Sequence, residues 1–288
     1  MSAISSIFTT RLVLDAEGRS KAIAVLLDRP SAANALSGDM LDSLAAELKR
    51  AREELQKDPT IRCLILAGRG RHFCAGADLA WMQQSAALSH AENLADASRL
   101  TAVFEALANF PRPTIGVVRG AAYGGAVGLI ACCDIVIAED TSKFCLSEAR
   151  LGLIPAVIMP YLTRRIAPGF LRRAALTSRV ITAEEAKSCG LVDIITAPSE
   201  VNEALRNEID QVLQAGPAAQ AAVKELIEKV RMNKGAQGEY TAQAIAAART
   251  GPEGQAGLTA FFSRTPAPWS AKTSEALNFS QLMAQESQ

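Results

Sequence analysis

The stretch TIGVVRGAAYGGAVGLIACCDIVIAED, residues 114–140, holds two apolar runs on either side of a glycine-rich segment. The first run, TIGVVRG (114–120), and the last, CDIVIAED (133–140), are rich in β-branched residues and predict strands. Between them, GAAYGGAVGL (120–129) predicts a turn and then a helix that runs to Ala131. A strand, a helix and a second strand in this order form a βαβ unit, which indicates a parallel sheet.

The same alternation covers the first two thirds of the chain. Strands are predicted at KAIAVLLDRP (21–30) and IRCLILAG (61–68). Amphipathic helices are predicted at 37–58, where Ser37 is a suitable N-cap, and from about Ala91 to Asn109. The predicted fold class is therefore α/β.

The last third has a helical pattern instead. Beyond GLVDIITAPSE (190–200), apolar residues recur at helical spacing, and we expect helices near 201–213, 217–230, 238–250 and 252–263. We therefore divide the chain into an α/β core (1–198), a helical module (199–269) and a polar tail or peripheral helix (270–288).

Composition argues against several classes of protein. The 288 residues carry 30 basic and 30 acidic side chains, so a nucleic-acid or anionic-membrane surface is not expected. No apolar run approaches the roughly 20 residues that cross a bilayer. The N-terminus, MSAISSIFTTRLVLD, lacks the basic and apolar regions of a signal peptide. We expect a soluble, cytoplasmic protein without nucleic-acid or membrane partners.

The cysteines do not form a metal-binding pattern. Six cysteines occur without a Cys-x-x-Cys pair, and the chain has two histidines, so no clustered zinc ligands are present in the sequence. We expect no metal and cysteines that act as small buried hydrophobic residues. A catalytic thiol could use only His72 or His90 as its base.

The glycine-rich segment 120–129 fits neither common phosphate-binding loop. A Walker loop requires Lys directly after its last glycine, and Ala126 follows Gly125. A dinucleotide fingerprint requires glycine at the position of Tyr123. Two interpretations stay open: a tight strand-to-helix turn, or backbone N–H groups directed at a developing negative charge.

A second loop with small residues lies in GRGRHFCAGADLAWM (68–82). It also follows a strand, and its Ala75-Gly76-Ala77 segment would leave the Ala75 amide accessible. Asp78 could cap the next helix. Two such loops at the carboxyl ends of parallel strands could supply the two N–H donors of an oxyanion hole.

Glu148 is the candidate acid or base. It lies in the apolar stretch FCLSEARLGLIPA (144–156), and an apolar environment raises the pKa of a carboxyl group toward the range useful in proton transfer. An ion pair with Arg150 or another arginine is the structural alternative.

The motifs HFCAGADL, GAAYGGAVGL, FCLSEARLGLIPA and ITAEEAKSCGLVD resemble, in order and spacing, those of the enoyl-CoA hydratase/isomerase (crotonase) superfamily. The resemblance runs from about Ile23 to Trp269. It implies a spiral core of ββα units, C-terminal helices that form a trimer or a hexamer, and an acyl-CoA substrate. It further implies that the amides of Ala75 and Gly125 bind the thioester carbonyl.

The resemblance also implies residues that bind the substrate, with CoA as part of that substrate and no separate cofactor. Two regions match the family's CoA contacts: the RPSAANALS loop (29–37) and the segment GLTAFFSRTPAPW (257–269). The residues implied are Ala33, Ala35, Ala75, Gly76, Ala77, Asp78, Gly125, Phe261 and Arg264.

The chain departs from the family's hydratases at one position. Those enzymes carry two glutamates; Glu148 matches one, and Gly128 stands in place of the other. The motifs look most like those of bacterial 3-methylglutaconyl-CoA hydratases, and isohexenylglutaconyl-CoA hydratases are similar. We expect hydration of a branched glutaconyl-CoA by Glu148 alone, with Arg119 or Arg150 near the substrate carboxylate. A single-glutamate enoyl-CoA isomerase and a non-catalytic acyl-CoA-binding oligomer are the alternatives.

Overall fold

The computed structural model describes residues 6–18, 20–232, 238–275 and 277–284. In this part of the chain nine strands form two sheets. The strands are β1 Ile7–Val13, β2 Lys21–Leu27, β3 Ile61–Gly68, β4 Thr114–Val118, β5 Ala121–Tyr123, β6 Ile135–Glu139, β7 Lys143–Cys145, β8 Ile181–Thr182 and β9 Ile194–Thr196.

The helices precede and follow these strands along the chain. They are α1 Gly38–Lys57, α2 Leu79–Ala86, α3 His90–Ala108, α4 Gly125–Cys132, α5 Met159–Arg165, α6 Pro168–Thr177, α7 Ala183–Ser188, α8 Val201–Gln214, α9 Pro217–Met232, α10 Gly238–Thr250, α11 Pro252–Ser263 and α12 Phe279–Ala284. Short 3₁₀ helices occur at Pro30–Ala32, Glu148–Leu151 and Pro198–Glu200.

The larger sheet has the strand order β1-β2-β3-β4-β6-β9. Strand β1 is antiparallel to β2, and every other neighbouring pair in this sheet is parallel. The smaller sheet has the order β5-β7-β8. The α/β prediction is therefore confirmed.

Both faces of the larger sheet are buried, and alternate residues of each strand point to opposite faces. In β2, Ile23 and Val25 pack on one face with α1, α3 and α4. Ala24 and Leu26 pack on the other face with α8 and α12. The fully buried strand β3 is sandwiched in the same way, so its carboxyl end is held rigidly.

The predicted elements of the first two thirds are confirmed with small shifts at their ends. The helix predicted at 37–58 begins after Ser37, whose hydroxyl accepts the Met40 N–H. Strand β1 and the three-residue strand β5 were not predicted. Strand β5 lies inside the segment read as a turn, and it forms because it pairs with β7, a contact that no local pattern contains.

The helices after residue 200 differ in how they pack. Helix α8 buries Val201, Leu205 and Ile209 against the larger sheet. Helices α9 and α10 bury none of their own described residues, and α11 buries Ala260. No helix of the described residues is long and apolar enough to cross a membrane.

The segment treated as a tail contains α12. Phe279 and Met283 of this helix are fully buried beside α8. Its end is tied to the loop after β3, because the Gly70 N–H donates to the Met283 carbonyl. Ala276 and residues 285–288 of this segment, like residues 1–5 of the predicted core, lie outside the described part of the chain.

Candidate active site

The loop after β3 and the turn after β5 meet at a cavity of about 690 Å³, here called the main cavity. Helices α2 and α3 and the segment 151–158 complete its walls. Six of its lining residues are candidates for a role in catalysis or substrate binding: Ala75, Gly76, Ala77, Gly124, Gly125 and Glu148. The structure therefore brings the two small-residue loops and the candidate carboxyl group to one place.

Glu148 begins a 3₁₀ helix and is half-buried in the main cavity. Its Oε2 atom is buried and has no hydrogen-bond partner in the part of the chain that the structure describes. Burial raises the pKa of this carboxyl group, and no cation opposes the shift. The alternative of an ion pair with Arg150 is not realised among the described residues.

The backbone next to Glu148 requires glycine. Gly124 has φ 54° and ψ −124°, a conformation that L-residues rarely adopt. A Cβ on Gly124 would lie 3.4 Å from Oε1 of Glu148 and 3.7 Å from Oγ of Ser147. The Gly124-Gly125 pair thus lets the start of α4 approach the carboxyl group closely.

Two backbone N–H groups in the cavity wall have no acceptor within residues 6–18, 20–232, 238–275 and 277–284. Gly125 is the first residue of α4, so its N–H has no partner within the helix. The Ala77 N–H likewise has no acceptor among the described residues, although its neighbours Leu36 and Asp78 are hydrogen-bonded to the loop. Both residues line the main cavity.

The Ala75 amide is in a different situation. Its N–H donates to the Ala33 carbonyl at 2.9 Å, and this hydrogen bond helps to hold the loops 29–37 and 75–78 together. A donor to a ligand has to be free, so the geometry favours Ala77 over the predicted Ala75. The sequence alone does not indicate which of the two alanines has a free N–H group. The backbone pairing of Leu36 with Ala77 distinguishes them.

Asp78 has a structural role in this geometry. Its Oδ1 atom accepts the N–H groups of Ala80 and Trp81, which caps α2. Its Oδ2 atom pairs with Nη2 of Arg29 at 2.8 Å. The hydrogen bond from Arg29 is the largest of the interactions that lower the pKa of Asp78. Sequence analysis missed Arg29, because a contact across 49 positions has no local signal.

Gly128 lies in α4, and its position is filled by neighbouring side chains. A Cβ there would lie 2.2 Å from Cγ2 of Ile158 and 3.1 Å from Cε1 of Phe104. Any side chain at this position would therefore require α4 or the α5 N-terminus to move. Ile158 and Phe104 line the main cavity together with Glu148.

The cations expected near a substrate carboxylate are not in the main cavity. Its walls contain no Lys, Arg or His among the described residues. Arg119 instead pairs with Glu139 at 3.0 Å and lines a separate pocket, and Arg150 is exposed outside both. Asp96, the other acidic residue in the wall, pairs with Arg99.

The other residues predicted to bind CoA lie outside the main cavity. Ala33 has φ 48° and is hydrogen-bonded to Ala75 through its carbonyl. The Ala35 carbonyl accepts a hydrogen bond from Arg29. Phe261 is 76% exposed and packs edge-on against Phe262, and Arg264 is exposed at the end of α11. Within one chain, the structure does not bring Phe261 and Arg264 to Glu148.

All six cysteines are buried and free, as predicted. Burial raises the pKa of the Cys63, Cys74 and Cys133 thiols to about 12. A thiol in this state is a poor nucleophile, because the thiolate is the reactive form.

Comparison with known proteins gives a consistent result. The sequence model of the family described as enoyl-CoA hydratase/isomerase matches residues 17–272. A crotonyl-CoA hydratase of Syntrophomonas wolfei is 32% identical over 264 residues, which cover 89% of this chain and 97% of the relative. A carnitinyl-CoA dehydratase of Proteus mirabilis is 30% identical over 212 residues, which cover 72% and 77%.

Solved structures resemble this one in fold. The crystal structure of an enoyl-CoA hydratase from Shewanella pealeana has a TM-score of 0.84 and 36% sequence identity, over 93% of this chain and 97% of that chain. The crotonase-like spiral architecture that the motifs predict is therefore confirmed.

Proposed function

The chain belongs to the enoyl-CoA hydratase/isomerase family, and from this premise we propose that it adds water to the double bond of a 2-enoyl-CoA thioester. One observation carries the proposal. Glu148 has a buried, unpartnered carboxyl oxygen and lies in the same cavity as two unpaired backbone N–H groups. The addition of water to an enoyl thioester uses both features, a group that moves the proton and donors that stabilise the thioester oxygen.

The N–H groups of Ala77 and Gly125 are the proposed oxyanion hole. When a nucleophile adds to C3 of the enoyl group, negative charge develops on the thioester oxygen. Two fixed donors stabilise that charge, and the loss of one such donor typically costs about 10²–10³ in kcat. The N-terminus of α4 adds a favourable dipole at the same point.

Glu148 is the proposed acid and base. As a carboxylate it would accept a proton from the attacking water while the water oxygen bonds to C3. It would then return a proton to C2, so that one molecule of water is added in total. A raised pKa suits a group that must both accept and donate a proton near neutral pH.

A second candidate is the isomerisation of a 3-enoyl-CoA to a 2-enoyl-CoA. The observation that favours it is the filled position at Gly128, since Ile158 and Phe104 leave no room for another acid there. A single carboxyl group is sufficient to move a proton between C4 and C2.

The proposal also concerns which acyl group the main cavity accepts. The motifs indicate 3-methylglutaconyl-CoA, which carries a distal carboxylate. The charge of the main cavity argues against it, because the walls contain Asp96 and no cation among the described residues. A buried carboxylate without a partner is costly, so an uncharged acyl chain fits this cavity better.

CoA itself would be held partly by a second copy of the chain. Helices α9–α11 expose large apolar side chains, among them Ile227 at 58% and Phe262 at 76%. Such surfaces mark contacts between subunits. In a homotrimer or hexamer, Phe261 and Arg264 of one subunit could then reach the CoA bound to its neighbour. No cofactor other than the CoA of the substrate is part of this proposal.

A panel of thioesters tests the proposal. Loss of absorbance from a conjugated 2-enoyl-CoA with uptake of water supports hydration, whereas conversion of a 3-enoyl to a 2-enoyl substrate supports isomerisation. Tight binding without turnover of any thioester contradicts both and supports a non-catalytic binding protein. Within the panel, we expect crotonyl-CoA to have a kcat/KM at least tenfold above that of 3-methylglutaconyl-CoA; the reverse order contradicts the uncharged acyl chain.

A further inference from the structure

A second cavity, of about 610 Å³, lies at the carboxyl ends of β3, β4 and β6. We call it the basic pocket. Gly70 and His72 follow β3, Arg119 follows β4, and Glu139 ends β6. In open α/β sheets, ligands bind outside the carboxyl ends of strands, so this is a favourable place for a site. It is separate from the main cavity, since no residue lines both.

The charges of the basic pocket are not balanced. Arg119 pairs with the buried Glu139 at 3.0 Å, and this pair is neutral as a unit. Arg71 and Lys143 also line the pocket, are exposed, and form no ion pair within 4.0 Å among the described residues. Glu184 is near enough to Lys143 to interact with its charge. The pocket walls thus carry two cations that no direct ion pair neutralises among the described residues.

Neutral donors stand beside these cations. The Ala121 N–H donates to Nδ1 of His72 at 3.1 Å, which places the imidazole proton on Nε2. Burial, and then the charge of Arg71, lower the pKa of His72, so the ring is a neutral donor at pH 7. Thr141 adds a hydroxyl group to the wall.

The backbone that shapes the pocket is constrained. Gly120 has φ 58°, and a Cβ there would lie 2.3 Å from the Arg71 carbonyl and 2.6 Å from Nδ1 of His72. The Gly120 carbonyl accepts the Lys143 N–H at 2.9 Å. These contacts fix the backbone of Arg71 and Lys143 and the ring of His72 around one space.

We propose that the basic pocket binds a phosphate group, with Arg71 and Lys143 as its charged ligands and His72 Nε2–H and Thr141 as neutral donors. Two unpaired cations match the charge of a phosphate monoester or of inorganic phosphate, which is about −1.5 to −2 at pH 7. The group could come from free phosphate or from a phosphorylated metabolite, and the two sources share this chemistry.

Isothermal titration calorimetry of the full chain with inorganic phosphate, at low ionic strength, tests the proposal. We expect one phosphate per chain, and at least tenfold weaker binding in Arg71→Ala and in Lys143→Ala, because each removes a charge-assisted hydrogen bond. Lys49→Ala, which removes an exposed charge from α1, is the matched control and should bind as the wild type does. Circular dichroism establishes that each variant is folded.

A parallel titration with 3′,5′-ADP distinguishes the sources. Binding of 3′,5′-ADP that is stronger than that of phosphate, and lost in the same two variants, supports the site and assigns it to a nucleotide. Binding of phosphate alone supports the site and assigns it to the free ion. If neither ligand binds, or if Arg71→Ala and Lys143→Ala bind as tightly as Lys49→Ala, the proposal is wrong.

Discussion

The burial of Glu148 lowers the stability of the folded chain and also favours proton transfer by this residue. Its Oε2 atom is buried without a partner, so the fold disfavours the charged form of this carboxyl group. Groups in this state occur at functional sites, where a shifted pKa serves proton transfer. The same burial that suits Glu148 to acid–base chemistry therefore reduces the stability of the folded chain.

This relation predicts how stability depends on pH. The folded pKa is raised, so the energetic cost is absent below the ordinary pKa of glutamate, about 4.3, and complete above the folded pKa. Glu148→Gln, which is neutral at every pH, should raise the Tm near pH 7 by a few degrees, as about 1 kcal/mol corresponds to roughly 2–4 °C. Near pH 4 the two proteins should melt together. An equal difference at both pH values contradicts the role of burial.

Several of the site residues that the sequence predicts line one cavity, but the sequence does not predict which backbone N–H groups are free there. Glu148 and Gly125 are identifiable because an acid in an apolar stretch and a Gly-Gly pair are local signals. The choice between Ala75 and Ala77 depends on which amide is used by the loop 29–37, and that pairing is known only from the fold. Arg29, which joins the loops, was missed for the same reason.

Helix α4 contributes two glycines that shape the site. Its N-terminus presents Gly125 to the cavity, while Gly128, one turn later, packs under Ile158 at the N-terminus of α5. The glycine is therefore a packing requirement between two helices.

A double-mutant cycle measures this contact. We expect Gly128→Ala to lower the free energy of unfolding by about 1–3 kcal/mol, because its Cβ overlaps Ile158. In an Ile158→Ala background the same change should cost less by at least about 0.5 kcal/mol, since Cγ2 is then gone. Gly169→Ala, at a helical position with open space, should have the same effect in both backgrounds. Additivity for Gly128→Ala would exclude the contact.

At the scale of the whole molecule, the α/β core follows from the sequence because its strands are long, apolar and alternate with amphipathic helices. The small sheet β5-β7-β8 does not, since its strands have two or three residues and form through pairing. Helix α8 also belongs to the core, where its apolar face covers the larger sheet.

The exposed apolar faces of α9–α11 suit a contact between chains, which supports the proposed trimer or hexamer. Replacing Val223 and Ile227, which are 51% and 58% exposed on α9, by glutamate places charges in an apolar contact and should shift the protein toward monomers. Sedimentation velocity gives the distribution of species. Leu176→Glu, at an apolar position on α6 that is 72% exposed, is the control and should leave the distribution unchanged. A wild-type chain that sediments as a monomer contradicts the prediction.

The role of Glu148 in proton transfer is tested most directly by measuring the hydration of a 2-enoyl-CoA by the Glu148→Gln variant. The control variant is Glu105→Gln, which changes an exposed glutamate of α3. If Glu148 is the acid and base, kcat falls by about 10²–10⁴ in Glu148→Gln while thioester binding is retained. We expect Glu105→Gln to keep the wild-type rate. Near-wild-type turnover by Glu148→Gln would show that another group moves the proton, and the proposed mechanism would then be wrong.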